Sequence, residues 1–135
     1  MNKKIYITYC CKNKAHISKE REVLPAELYL SSRIKNFINF CDTNNYFWAI
    51  FSDLYGLVYK DEKIKWYNKQ PDSVSKLEYA YLLNLTIQKL DKYDEVVFYY
   101  EEKSFHSLYK QMLYDIKPYI HVSIVDSLEE YNDQN

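Results

Sequence analysis

Two short clusters hold most of the side chains able to do chemistry. Cys10-Cys11-Lys12-Asn13-Lys14 sets two thiols beside two amines. A neighbouring lysine lowers a thiol's pKa and favours thiolate, so Cys11 is a candidate catalytic residue and Lys12 and Lys14 are candidate anion-binding residues. Cys10 is equally well explained as a small buried strand residue, and the lysines as solvated charge. Further on, Ser52-Asp53-Leu54-Tyr55-Gly56-Leu57 contains the only glycine of the chain. In a sequence that otherwise avoids glycine, Gly56 points to a positive φ or to the close approach of a ligand. Asp53 is the carboxylate best suited to general-base or hydrogen-bonding work, although no fixed spacing pairs it with a second acid or a histidine.

Between the clusters, Ser31 and Ser32 precede an apolar helical repeat. One of them caps the helix, and the first helical N–H groups can receive a phosphate or a carboxylate. Tyr29 either stacks on a base or staples the start of that helix. With Ser52, Tyr55, Gly56 and Tyr67 these complete the candidate binding set. His16, His106 and His121 are scattered and form no triad with a cysteine or serine. One glycine cannot supply a phosphate-binding Gly-x-x-x-x-Gly-Lys loop or a dinucleotide fingerprint. No His or Cys pair has zinc-ligand spacing, so no metal and no cofactor is expected.

The elements that must position these residues follow from periodicity. Ile5–Tyr9 reads as a buried first strand. Residues 10–25 form a long loop, followed by a helix with Ile34, Phe37, Ile38 and Cys41 on its inner face. Tyr46 to Phe51 is a second strand, apolar enough to be covered on both faces. Residues 52–73 read as a second long loop, of the length that is usually functional or disordered. Ser75 and Glu78 form a capping box for a second helix, with Leu77, Ala80, Leu83, Ile87 and Leu90 predicted to face the core. A third strand covers Glu95–Tyr100. A third helix starts near Ser104, with Leu108, Met112, Leu113 and Ile116 inward and Pro118 as its stop, and Tyr119–Val125 is a fourth strand. Helical crossovers imply an α/β three-layer sandwich whose four-stranded, mainly parallel sheet has the order 2-1-3-4. The two long loops then leave the same edge of neighbouring strands. Near such a switch in chain direction ligands bind beyond the carboxyl ends of the strands.

Composition bounds the rest. At 135 residues, with 47% hydrophobic and 27% charged residues, the chain suits one globular domain, expected over residues 1–126. The net charge of −1 favours neither nucleic acid nor a basic partner, but residues 1–21 carry a net of +5. Residues 127–135 form an acidic tail, expected to be frayed. The 16 tyrosines suit half-buried core edges, protein interfaces and base stacking alike. Three cysteines without a leader segment fit the reduced cytoplasm, and no apolar run approaches the ~20 residues of a membrane-spanning helix.

The stretch from Cys10 to Tyr67 resembles an uncharacterised prokaryotic and phage domain family, recognised by Cys-x-x-Lys, Leu-Tyr-x-Ser-x-x-Phe, Ser-x-x-Tyr-Gly-Leu and a later Pro-Tyr. The corresponding residues are Cys11 to Lys14, Leu28-Tyr29-Leu30-Ser31, Ser52 to Leu57, and Trp66-Tyr67, with Leu54 replacing an expected lysine and Trp66 the proline. That family is similar to the uracil-DNA-glycosylase-like domain of archaeosine synthase, whose sheet order is also 2-1-3-4. The resemblance implies nucleobase or nucleic-acid handling, with tRNA, DNA or a nucleotide as partner. An enzyme acting on a nucleoside or its base, and a protein-interaction module, are the alternatives.

Overall fold

The computed structural model describes residues 2–128. In chain order its elements are β1 (Lys4–Tyr9), β2 (Glu22–Val23), α1 (Pro25–Leu28), α2 (Ser32–Thr43), β3 (Trp48–Ser52), β4 (Gly56–Tyr59) and β5 (Ile64–Lys65). These are followed by α3 (Lys76–Leu90), β6 (Glu95–Tyr99), α4 (Ser107–Ile116) and β7 (His121–Val125). The central sheet has five strands in the order β4-β3-β1-β6-β7. Strand β1 pairs in parallel with β3 and β6, and β6 with β7, while β4 runs antiparallel to β3 at the edge.

The sheet therefore has one strand more than the four expected, and the addition comes from the segment 52–73 expected to be loop. Gly56 is the reason. Its φ is +76°, a conformation that costs other L-residues about 1–2 kcal/mol, and it turns the chain back to pair Ser52 with Gly56 and Phe51 with Leu57. A Cβ on Gly56 would meet its nearest atom, the Leu82 carbonyl oxygen, only at 3.6 Å, so torsion and not space selects glycine here. The loop expected at 10–25 is likewise partly ordered: Glu22–Val23 pairs antiparallel with Ile64–Lys65, and Lys14 bridges Tyr29. The two long segments are thus laced together. The expected acidic tail lies outside the described residues from 129 onward.

Side chains alternate across the pleat, as a sheet covered on both faces requires. Phe37 of α2 packs on Trp48 and Tyr99, whereas Tyr109 of α4 packs on Tyr9 and Phe51. Right-handed crossovers in opposite directions from β1 and β6 put α2 and α4 on opposite faces, and α3 packs against α4 and β4. Helix α2 buries Ile34, Phe37, Ile38 and Cys41 as the spacing predicts, and Arg33 with them. Helix α3 has its capping box at Ser75 and Glu78 but is rotated from expectation. It buries Leu82, Thr86 and Leu90 and leaves Ala80 exposed and Leu77 84% exposed. The cause is its short apolar platform, the hairpin strand β4, which Leu82 and Leu85 meet at Gly56.

Candidate functional site

A cavity of about 390 Å³ opens beyond the carboxyl ends of β1, β3 and β6. That volume lies within the range of small-molecule sites. Its walls come from five segments: Tyr9 to Lys14 after β1, Ser31 to Arg33 at the start of α2, Asp53 after β3, residues 68–71 before α3, and Glu101 to Tyr109 after β6.

Arg33 lines the cavity from the start of α2. It is 5% exposed, and its guanidinium donates to Thr8 Oγ1 at 2.8 Å, to the Tyr9 carbonyl at 2.9 Å and to the Cys10 carbonyl at 3.1 Å. The guanidinium also lies 3.7 Å from the centre of the Tyr9 ring. Strand β1 ends here because Arg33 takes the carbonyls that a further pairing strand would use. Tyr9 in turn holds the loop after β6: its hydroxyl accepts from the Glu101 N–H at 3.1 Å and meets Ser104 Oγ at 2.7 Å. The Thr8 hydroxyl donates to the Tyr99 carbonyl at 2.7 Å. One strand end thereby fixes three walls.

Asp53 is 2% exposed, and its Oδ1 has no hydrogen-bond partner among the described residues. Burial raises the pKa of this carboxyl above its ordinary value, opposed by the Lys14 ammonium and by a hydrogen bond from the Cys10 thiol. Cys10 is buried, and desolvation followed by the charge of Asp53 pushes its thiol up to about 11. It stays protonated at neutral pH, and its sulfur lies 3.4 Å from the Tyr109 hydroxyl. Cys11 lines the cavity, and its thiol donates to the Asn13 carbonyl at 3.1 Å.

Six of the residues singled out in the sequence come together on the cavity: Cys11, Lys12, Lys14, Ser31, Ser32 and Asp53. Tyr29, Ser52 and Tyr67 do not line it. They are buried behind it in a chain of hydroxyls, Tyr29 to Tyr67 at 2.7 Å and Ser52 to Tyr67 at 3.0 Å. Burial raises the pKa of both tyrosines. Tyr29 is therefore not free to stack on a base. Ser52 Oγ also accepts from the Leu54 and Tyr55 N–H groups, shaping the turn that presents Asp53. Lys14 rests 4.3 Å over the Tyr67 ring, so the hydroxyl chain sets that cation's position. Tyr55 lies outside the cavity, edge-on to Tyr67, with its hydroxyl donating to the Lys65 carbonyl. Gly56 acts through the hairpin alone.

Arg33, Tyr109 and His106 line the cavity without having been singled out. Arg33 carried a usable signal: it stands four residues before Phe37 and eight before Cys41, on the apolar stripe of α2. His106 Nδ1 accepts from the Leu108 N–H at 2.9 Å and caps α4, so the ring's proton sits on Nε2 and reaches Asp72 at 2.7 Å. His16 and His121 are exposed elsewhere. Among the described residues no group of three or more His, Cys, Asp or Glu could hold a metal ion, and no helix is long and apolar enough to cross a membrane. Comparisons with protein-family models, with curated proteins and with solved structures return no match to this chain.

Proposed function

We propose that the cavity binds a nucleobase, presented as a small nucleotide or within tRNA or DNA, and that the chain is a nucleobase- or nucleic-acid-binding domain accessory to base processing or modification. The observation that carries the reading is Asp53 Oδ1, a buried acceptor without a donor at the mouth of parallel strands. Buried polar groups are nearly always satisfied, so the site is complete only with a ligand that brings an N–H or O–H, as the edge of a base does. The apolar rings of Tyr9 and Tyr109 and the cations Lys12 and Lys14 suit the remainder of such a ligand. The order β3-β1-β6-β7 of the parallel strands supports likeness to the uracil-DNA-glycosylase-like fold, and through it the prokaryotic and phage family that the first half of the chain resembles.

Titration with free bases, nucleosides, tRNA, and single-stranded and duplex DNA tests the reading. Binding to at least one member is expected, with Asp53→Leu weakening it about 10-fold or more, the worth of one hydrogen bond to a charged group. Polynucleotide binding through the lysines should fall steeply with salt. No binding across the panel at low salt would refute the reading.

A catalytic variant of it rests on Asp53 as well. A carboxyl whose pKa is raised by burial in a cleft is suited to move a proton, and Cys11 and Lys14 border the same space. Mass spectrometry of nucleosides and oligonucleotides incubated with the protein separates catalysis from binding. The protein-interaction alternative draws on Leu54, Leu77 and Tyr81, exposed side by side around a second hollow that shares Asp53 and Lys69 with the first.

A further inference from the structure

Arg33 is a buried charge held by neutral groups. It makes no ion pair among the described residues. Its partners are two carbonyls and a hydroxyl, which engage three of the five guanidinium N–H groups and leave two. Charges this deeply buried are ordinarily paired. Arg33 lines the cavity, and so do the residues that surround it at the amino end of α2.

That helix end is itself unfilled. Ser31 Oγ accepts from the Ile34 N–H at 3.2 Å, but the Ser32 and Arg33 N–H groups lie in the first turn, where no carbonyl of the helix can reach them. The first turn of this 12-residue helix holds no acidic side chain. Lys12, exposed and lining the same cavity, has neither an ion pair nor a hydrogen bond among the described residues. Lys14 and Lys69 are differently engaged: Lys14 acts on Asp53, and Lys69 pairs with Glu78 at 3.1 Å. Two cations without an ion pair and two backbone donors without a helix carbonyl therefore line the cavity; of the two carboxylates that also line it, Glu101 accepts from the Tyr99 hydroxyl at 3.0 Å and Asp53 Oδ1 has no donor among the described residues.

We propose that Arg33, the Ser32 and Arg33 N–H groups and Lys12 form a phosphate subsite, so that the ligand of this cavity carries a phosphate monoester or diester next to the group read by Asp53. The proposal rests on the nucleobase reading for the second group only. A phosphate matches the subsite because it offers several oxygens to donors from three directions and a charge of up to about −2 to the two cations. When ionised, Asp53 excludes a second anionic group from its own end by like-charge repulsion and desolvation. The ligand is thus polarised, with its anion at α2 and its hydrogen-bond donor at β3. A free mononucleotide and a phosphate of a polynucleotide backbone share this chemistry.

The full-length protein is titrated with inorganic phosphate, with a set of nucleosides, with their 5′- and 3′-monophosphates, and with short single-stranded oligonucleotides, while backbone amide resonances are followed. Phosphate should shift the Ser32 and Arg33 amides first, and monophosphates should bind at least 10-fold more tightly than their nucleosides. Oligonucleotides binding more tightly than mononucleotides would assign the phosphate to a strand, and the reverse order to a free nucleotide; either supports the subsite. Ser32→Pro is the diagnostic variant. Proline is favoured at the first helical position and the extended Ser31 tolerates it, so the fold is kept while one donor N–H is deleted. It should lower phosphate affinity 3- to 10-fold and narrow the gap between monophosphate and nucleoside affinities by the same factor, and Lys12→Ala should reduce the salt dependence of monophosphate binding. Equal affinity for nucleosides and monophosphates, with no phosphate-induced shift at α2, overturns the subsite and leaves the nucleobase reading standing. Phosphate binding at α2 with no response to any nucleobase does the opposite.

Discussion

Asp53 shows what a buried carboxyl costs the fold that carries it. The turn shaped by Ser52 buries its carboxyl, and the Cys10 thiol and the Lys14 charge only partly compensate. Because its pKa is raised in the folded state, the folded chain binds the proton more tightly than the unfolded chain does. The stability this provides is complete below the unfolded value near 3.8 and is lost as pH rises through the folded value. Once ionised, Asp53 is therefore a net burden. Asp53→Asn is expected to stabilise the protein by roughly 0.5–2 kcal/mol at pH 7, the range typical of a single stabilising substitution. The gain should shrink towards zero below about pH 4. Denaturant unfolding of both proteins across that range provides the check; equal stability at pH 7 would mean that the carboxylate is adequately solvated where it stands.

At the scale of elements, α3 is where local pattern and tertiary packing disagree. Leu77, Ala80, Leu83, Ile87 and Leu90 have helical spacing, but the sheet edge offered to α3 is the hairpin strand β4, and only Leu82, Thr86 and Leu90 are fully buried by it. Leu82→Ala is expected to cost about 2–5 kcal/mol, and Leu77→Ser less than about 0.5 kcal/mol. Thermal unfolding distinguishes the two, and a large loss at Leu77 would restore the face that periodicity predicts. The strands β1, β3, β6 and β7 were legible because β-branched and aromatic runs leave few alternatives. Strand β4 was not, since Gly56 reads as a loop residue until its +76° φ is seen to close a hairpin. The site was legible on the same terms. Cys11, Lys14, Ser31 and Asp53 follow from where predicted strands end and helices begin. The wall after β6 depends on the hydrogen bonds of Tyr9 to a loop 92 positions away, for which no local pattern exists. Arg33 was visible as a charge on an apolar stripe, a mismatch that marks either an error of phase or a buried charge with work to do.

For the molecule as a whole, the sheet order β4-β3-β1-β6-β7 places the first strand at the centre. It also sets a timetable. As the chain emerges from a ribosome, β1 can pair with β3 once residue 52 is free, but its other side stays open until Glu95–Tyr99 arrives. At cellular synthesis rates that wait is on the order of several seconds. Throughout it the apolar run Ile5-Tyr6-Ile7 offers unpaired backbone groups to any passing strand. The Thr8 and Tyr9 hydroxyls also await their partners at Tyr99 and Glu101. A chain released after residue 92 should therefore aggregate or remain protease-sensitive, and a soluble, resistant fragment of that length would contradict the timetable. The centrally placed first strand thus keeps one edge open, and the cavity without its wall at Glu101 to Tyr109, until β6 and the segment after it have been made, so nascent chains gain from whatever in the cell shields an open strand edge.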